Sequence, residues 1–448
     1  MKLFMKKILA VTLTVTLILS GTVTAFGADS KGIKVQYNGE DITASGAAKI
    51  VDGRVMVPLR QTLESMGAED KEVLFTAGEK DMVSVRFIAE KLGYGVGWDA
   101  DDKTVVIIDP ATLFTNADTD FSIISKLMKS DLDLEKAYAT TGQFDMDITT
   151  YADPQSIMPG MDFSVSGKMT GVQQKSNADL VMSLAFQFDK MLSKLTVEEK
   201  TQMEPLLNMF KNANMKIKMD GETGITYMNS SLFSAIDPSV GANTWYKMNV
   251  YDTYEEMGID LKSISNMSYS DVKLSEMLTA SFSSMEYADT ATYQDMKTTY
   301  TFLKNLIGDE AFARKTAGSY VTYTLNITQV SVLAALTKTA LAEGISKDTM
   351  DLTEVGDLLN TSKIGANIMI KEKAGSLYEY GLKGSCSLED LNCSFDMTGD
   401  QKNAVGQITV DQKDVMKMMM EVESHISETS TAPDLSLPAD AVVVDYPM

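Results

Sequence analysis

Histidine is nearly missing from this chain: among 448 residues His425 is the one imidazole. Copper and zinc centres built on several nitrogen ligands are therefore excluded. A Ser-His-Asp triad would have to run through this same residue, which sits in the polar stretch Glu423 to Glu428 and reads as surface. Cysteine is almost as scarce. Cys386 and Cys393 bracket six residues that read as the tip of a β-hairpin. In an exported protein such a pair is expected to form a hairpin disulfide, with two free thiols as the alternative. Neither cysteine lies near the N-terminus, so no lipid-modified leader is expected. Cations are short as well, 40 Lys and Arg against 62 Asp and Glu, a formal charge of -22. Nucleic acid is excluded as a partner, because phosphate binding needs a basic face that releases counterions. GxSxG, HExxH, a phosphate loop and a placed acid pair are all missing, so no enzyme, metal or cofactor is expected. After residue 28 no apolar run approaches the roughly 20 residues a membrane-spanning helix requires.

What is present begins with an export signal. Lys2, Lys6 and Lys7 precede the apolar run Ile8 to Leu19, and small residues follow to Ala28, which predicts a signal peptide over 1–28 cleaved within 25–28. Loss of those three lysines takes the formal charge from -22 to -25, which suits solubility outside the cell. With no sortase-type ending either, a surface location would have to be held by folded domains. A 44% hydrophobic content over this length allows two or three domains with real cores.

An internal repeat follows. Val57-Pro58-Leu59-Arg60 leading to Glu64 and Gly67 aligns, at an offset of 26, with Val83-Ser84-Val85-Arg86 leading to Glu90 and Gly93. Each copy predicts a short strand, about two helical turns (Gln61 to Met66, Phe87 to Leu92) and a glycine where a left-handed residue ends the helix. Arg60 and Glu64, like Arg86 and Glu90, stand four apart and are expected to pair along a helix face as structural support. Tyr94 to Trp98-Asp99, an Asp-rich turn and Thr104 to Ile108 predict a closing hairpin.

Ile33 to Gly39, Asp52 to Arg60, and Val85 to Gly93 through Trp98-Asp99 and Lys103 to Ile107 resemble the copper amine oxidase N-terminal domain family, a small α/β stalk module common in exported proteins of Gram-positive bacteria. The resemblance covers residues 33–109. It implies a spacer or surface-associated module, since this module carries neither the copper ligands nor the quinone of those oxidases. Two departures stand out: Ser84 where the family usually has proline, and a short stretch, Ala68 to Met82, between the copies.

Residues 110–136 read as a linker with one helix, Phe121 to Met128. From 137 to 427 apolar and polar residues alternate in runs from Gln143 to Thr150, Met161 to Met169, Leu180 to Phe188, Met215 to Gly221, Thr226 to Met228 and Trp245 to Val250. Period two predicts strands with one wet face. Further strands are expected at Tyr320 to Leu325, Ile364 to Lys371, Leu377 to Ser387, Asn392 to Thr398 and Val405 to Val410. Inserted helices are expected after the capping box Thr196/Glu199, with Pro205 kinking or ending it, at Ser270 to Ile307 and at Gln329 to Glu343. The helices at 270–307 and 329–343 are the expected covers of the apolar sheet face. The spacing of Val415, Met419 and Val422 reads as helical packing. The tail 428–448 can add one last strand.

This order of elements is similar to the lipoprotein-carrier-like fold of LolA and LppX, a half-barrel whose concave face, in those relatives, holds acyl chains. The fold class is thus α+β: a small α/β module followed by a large antiparallel, half-barrel-like sheet with inserted helices. Met215, Met219, Met228 and Met248 fall on predicted strands. They are either ordinary core or an adaptable apolar surface facing a ligand. The leading expectation is a non-enzymatic secreted or cell-surface protein in which the stalk displays the β domain to a wall component or surface partner. The alternative is a carrier or sensor for a lipid-like ligand, distinguished by an apolar cavity.

Overall fold

The computed structural model describes residues 33–43, 48–68, 82–129, 132–133, 135–151, 160–237, 239–256, 262, 273–283, 289–344, 363–388 and 390–446. The expected signal peptide and its cleavage site lie outside them. The chain divides into two compact units, the first from 1–125, 252–264 and 272–305, the second from 126–251, 265–271 and 306–448.

In the first unit β1 (Lys34–Tyr37) and β2 (Glu40–Asp41) precede β3 (Lys49–Val51), β4 (Arg54–Pro58) and α1 (Leu59–Ser65). Then come β5 (Met82–Ser84), α2 (Val85–Leu92), β6 (Gly95–Asp99) and β7 (Thr104–Ile108). One sheet has the order β2-β1-β7-β6, with β1 parallel to β7, and the other β3-β4-β5. Both copies of the repeat are strand, helix and a left-handed glycine, Gly67 at φ 67° and Gly93 at φ 72°. The equivalent residues Val57 and Val83 face each other in the antiparallel β4–β5 pair, so a local two-fold relates the copies. Both valines are buried, with Leu63 and Ile88 of the helices, in one core. Ser84, the departure from proline, earns its place at the N-cap of α2, where its hydroxyl accepts from the Phe87 N–H at 3.2 Å. Pro58 starts α1 without a side-chain cap. Arg60 and Glu64 are exposed and, among the described residues, no ion pair joins them; in water such a pair gains too little to hold two long side chains.

The stretch 110–125, read as the start of a linker, forms three short helices of the first unit: α3 (Pro110–Phe114), α4 (Ala117–Asp120) and α5 (Ser122–Ser125). Asp109 caps α3, accepting from Ala111 N–H at 2.9 Å and from the Thr112 hydroxyl at 2.6 Å.

The second unit opens with β8 (Ala137–Thr150), β9 (Asp162–Gln174) and β10 (Asn177–Gln187), then α6 (Asp189–Ser193) and α7 (Val197–Phe210). Thr196 and Glu199 form the capping box, but α7 runs through position 205 to Phe210 instead of ending there. Eight residues of α7, about two turns, precede that position, and a proline inside a helix can bend it without ending it. There follow β11 (Asn212–Met219), β12 (Ile225–Ser230), α8 (Ser231–Ile236), β13 (Thr244–Asn249) and α9 (Val250–Glu256), whose residues from Asp252 on belong to the first unit.

The block expected to cover the sheet comes next, as α10 (Leu274–Ser283) and α11 (Thr292–Ile307), and its residues up to 305 belong to the first unit. Side-chain chemistry explains this membership. The Tyr300 ring packs at 5.7 Å, edge-on, against Phe121 and at 6.0 Å against Phe114, which also meets Phe282 at 5.3 Å. The Tyr300 hydroxyl donates to Asp120 at 2.7 Å, and Lys304 pairs with the same carboxylate at 2.9 Å. Ser275 donates to Asp118, and the Thr290 N–H donates to Asp99 at 3.1 Å. Gly39, at φ 83°, lies under the Tyr293 ring, which a Cβ there would meet at 3.1 Å.

The chain then completes the second unit with β14 (Ala313–Ala317), β15 (Tyr320–Ile327), α12 (Gln329–Ala342), β16 (Gly365–Lys373), β17 (Ser376–Leu388), β18 (Leu391–Gly399), β19 (Asn403–Gln412), β20 (Met416–Thr429) and β21 (Val442–Asp445). One 14-stranded sheet results, ordered β14-β15-β16-β17-β18-β19-β20-β8-β9-β10-β11-β12-β13-β21. All its pairings are antiparallel except β13–β21. The α+β class, a small α/β region followed by a large sheet, is therefore what the chain adopts. The tract around Met416 to Met420 is strand, not helix: Met416, Met418 and Met420 pair in register with Thr150, Ile148 and Met146. Spacings of four and three suit a helix, but alternation with Lys417, Glu421 and Glu423 suits a strand, and the long β8 ladder decides. Met169-Thr170-Gly171 to Asn177-Ala178 in β9–β10 recurs as Met397-Thr398-Gly399 to Asn403-Ala404 in β18–β19, a second internal likeness.

Candidate functional site

Register and alternation sort the sheet's side chains onto two faces. One face runs through Ile368, Leu382, Met397, Gly406, Val422, Phe144, Gly167, Leu184 and Ala213, each partner following the last across strands β16 to β11. Beside it run Met169, Met182 and Met215, and then Ile217, Met228 and Tyr246. Met219 and Met248 face each other across Thr226. The four methionines singled out from the sequence, Met215, Met219, Met228 and Met248, thus share one face, and all are half-buried. Sequence reasoning missed Met146, Met169, Met182, Met397, Met416, Met418 and Met420 on that face, although the same period-two signal could have found them.

Glycines shape the relief of this face. Gly167 lies opposite Phe144, whose ring crosses it so closely that a Cβ would sit 2.1 Å from the ring edge. Phe395 crosses Gly384 in the same way, at 2.6 Å. The rings therefore lie along the sheet, and the surface they make is low and apolar. Cys386 and Cys393 face each other on the same side and are disulfide-bonded, with Cα atoms 5.2 Å apart.

The opposite face is polar, with cross-strand pairs such as Lys383–Asp396 at 2.7 Å and Lys371–Glu379 at 3.1 Å. His425 is on it, exposed, its Nδ1 2.7 Å from the Asn403 amide oxygen. Two hollows open there. One of about 270 Å³ lies between Gln143, Asp145, Lys168, Ser183, Asn212 and Asn214, and one of about 360 Å³ between Asn367, Lys383, Ser385, Ser394, Asp396 and Gln407. Apolar groups share their walls with these polar side chains: Phe144, Leu184 and Ala213 in the first, Ala366 and Phe395 in the second.

On the apolar face, the strand positions fixed by register carry three charges, Arg314, Glu372 and Glu428. Glu372 alone of these is buried, and it is answered by Lys126 Nζ at 2.7 Å and by the Tyr323 hydroxyl, which donates at 3.1 Å. Burial first, and then the Glu372 bond and charge, push the Tyr323 phenol above its ordinary pKa. Tyr380 is buried on the same face, and burial followed by the Asp400 charge pushes its phenol up too. Its hydroxyl has no hydrogen-bond partner among the described residues, nor do those of Thr140 and Thr226.

In the first unit the repeat residues Arg60, Glu64, Arg86 and Glu90 are exposed, and Trp98 is 39% exposed on β6. Among the described residues no three His, Cys, Asp or Glu side chains gather as metal ligands, and no helix is long and apolar enough to cross a membrane.

No curated protein matches the chain. Among solved structures, Neisserial surface protein A is 5% identical, covering 65% of this chain and 97% of its own, with a TM-score of 0.12. Ail, the attachment invasion locus protein of Yersinia pestis, is 4% identical, covering 67% and 99%, with a TM-score of 0.11. A mutant Rh. blastica porin is 6% identical, covering 65% and 100%, with a TM-score of 0.14. Scores at this level carry no argument about fold or function. The sequence match is of another kind: the copper amine oxidase N-terminal domain matches residues 8–72 and 71–119, one match per copy of the strand–helix–glycine repeat, and about a quarter of the chain is thereby similar to that non-catalytic domain.

Proposed function

We propose that the chain is a non-enzymatic binding protein whose second unit takes up a lipid-like ligand on the apolar face of its sheet, with the stalk-type first unit as its mount. One observation carries this reading: apart from β14, the strands of the sheet turn a largely apolar side to one face, and most of those side chains, the methionines included, stay half-exposed. A sheet face of that composition is stable when covered. Of the helices expected to cover it, α10 and α11 contribute to the core of the first unit. Methionine suits a surface that must repack around chains of varied shape. Displacement of a fluorescent fatty acid tests the reading, with Met219→Lys and Met228→Lys as probes of the face. Saturable binding weakened by both substitutions is expected; no saturable binding, or binding that ignores both, removes the ligand-binding reading.

The match of the first unit to a stalk-type domain supports a second reading, display of the β unit at a bacterial surface, with export by the N-terminal segment and association with a wall component. Sedimentation with purified walls checks it. Retention that survives loss of lipid binding would assign the wall contact to a separate surface.

A further inference from the structure

Among the described residues the 14-stranded sheet is open, and its two edges are built differently. β14 is Ala-Arg-Lys-Thr-Ala, fully exposed and guarded by Arg314 and Lys315. Charges of this kind keep an edge strand from pairing with another edge of the same sign, while leaving it open to an acidic one. β21 at the other end is Val-Val-Val-Asp. Val442, Val443 and Val444 are 57%, 46% and 43% exposed, and Tyr446 just beyond is 42% exposed. Isolated exposed apolar residues are ordinary, but four within five positions on an edge are not.

The chain goes to some length to place that strand. From the end of β20 the segment 430–441 runs to the far side of the sheet, where β21 pairs with β13. Lys218 donates to the Asp434 carbonyl and pairs with Asp179 at 3.3 Å, Asn243 donates to Asp440 at 2.5 Å, and the Tyr446 ring meets Tyr246 edge-on at 5.8 Å. The Val442 and Tyr446 N–H groups bond back to Asn243 and Lys247 at 3.0 and 2.8 Å. In a parallel pair the alternate residues, Val443 and Asp445, then turn their backbone groups outward. β21 is thus a held, pre-ordered edge with apolar side chains. Asp440 and Asp445 flank the valines, and no cation lies between 439 and 446.

A strand that pairs here should be short, extended and cationic. β14 has those properties: five residues, two adjacent cations and an open outer side. We propose that β21 of one copy adds to β14 of another, continuing the sheet head to tail by strand addition. Such an interface is heterologous, so it leaves a free edge of each kind at the ends and can extend. Four or five residues bury too little for a tight complex, so association belongs to high local concentration.

Sedimentation velocity of the full chain across a concentration series tests this, with three variants. Val443→Pro removes an outward N–H while leaving the bonds of residues 442 and 446 to β13, and is expected to abolish association. The double reversal R314E/K315E is expected to do the same through the other edge. Mixing these two variants should restore dimers and nothing larger, because each keeps one intact edge. Circular dichroism and the thermal midpoint of each variant alone establish that it is folded. A wild type that stays monomeric at every concentration overturns the proposal. So does association that R314E/K315E leaves unchanged, which would point to a symmetric contact.

Discussion

Replacing Tyr300 tests whether α10 and α11 are part of the first unit's core. The ring touches Phe114 and Phe121, both 5% exposed, and its hydroxyl donates to Asp120 at 2.7 Å. Tyr300→Phe removes the hydrogen bond alone. Because Asp120 keeps Lys304 at 2.9 Å, the cost should stay near the value of an ordinary bond, about 1 kcal/mol. Tyr300→Ala also removes the ring. Buried aromatic truncations cost about 3–5 kcal/mol; Tyr300 is half-buried, so the low end, about 3 kcal/mol, is expected. The two tryptophans make the assay clean, since Trp98 lies in the first unit and Trp245, 2% exposed, in the second. Trp98→Phe and Trp245→Phe backgrounds let urea unfolding of each unit be followed by fluorescence. Both Tyr300 variants should lower the midpoint of the Trp98 transition, alanine about three times as much as phenylalanine. If Tyr300→Ala lowered the Trp245 transition and left that of Trp98 in place, α11 would be serving the sheet, and the assignment of the helix pair to the first unit would fail.

Asp99 should give the first unit an acid limb. Burial opposes its charge, but N–H donors from Asp102, Thr290 and Asp101 outweigh it and hold the carboxyl below its ordinary value. A depressed folded pKa means the stabilisation is complete above the unfolded value of about 3.9 and is lost as pH falls through the folded one. The stability difference between wild type and Asp99→Asn should therefore shrink below about pH 4, and a difference constant from pH 7 to pH 3 would refute it. Gly167→Ala and Gly384→Ala put a Cβ 2.1 and 2.6 Å from the Phe144 and Phe395 rings and should each cost about 1–3 kcal/mol by denaturant titration, with relief in a Gly167→Ala/Phe144→Leu double variant. Cys386 and Cys393 are seven apart, so reduction should destabilise the second unit by about 2.5 kcal/mol on the loop-closure model. An unchanged Trp245 transition in reductant would argue against it.

Much of this architecture was legible because its signals are local. Alternation over Gln143 to Thr150 needs only neighbouring residues to be read, and the strand–helix–glycine repeat carries its own stop signal in Gly67 and Gly93. The destination of 270–307 was not legible. Periodicity gives α11 an apolar stripe but does not say whether that stripe meets Phe114 and Phe121 or a sheet. Met416 to Met420 failed for a related reason: a run of methionines satisfies period two and period 3.6 alike, and the ladder to β8, more than 260 positions earlier, settles it. At the candidate site, the shared face of Met215, Met219, Met228 and Met248 followed from alternation. The buried Glu372–Lys126–Tyr323 cluster did not, because its members are far apart in sequence and come together only through register.

The excursion between β13 and β14 has a consequence for how the protein is made. Residues 1–125 leave the ribosome first, yet the helices that pack on Phe114 and Phe121 are not synthesised until well over 100 residues of the second unit have followed. Until then those aromatics have no native cover from α10 and α11, so vectorial folding cannot finish the first unit before starting the second. The same threading means that no single cut in the chain yields the intact first unit, and a gene fragment ending near residue 125 would encode a stalk lacking part of its own interior.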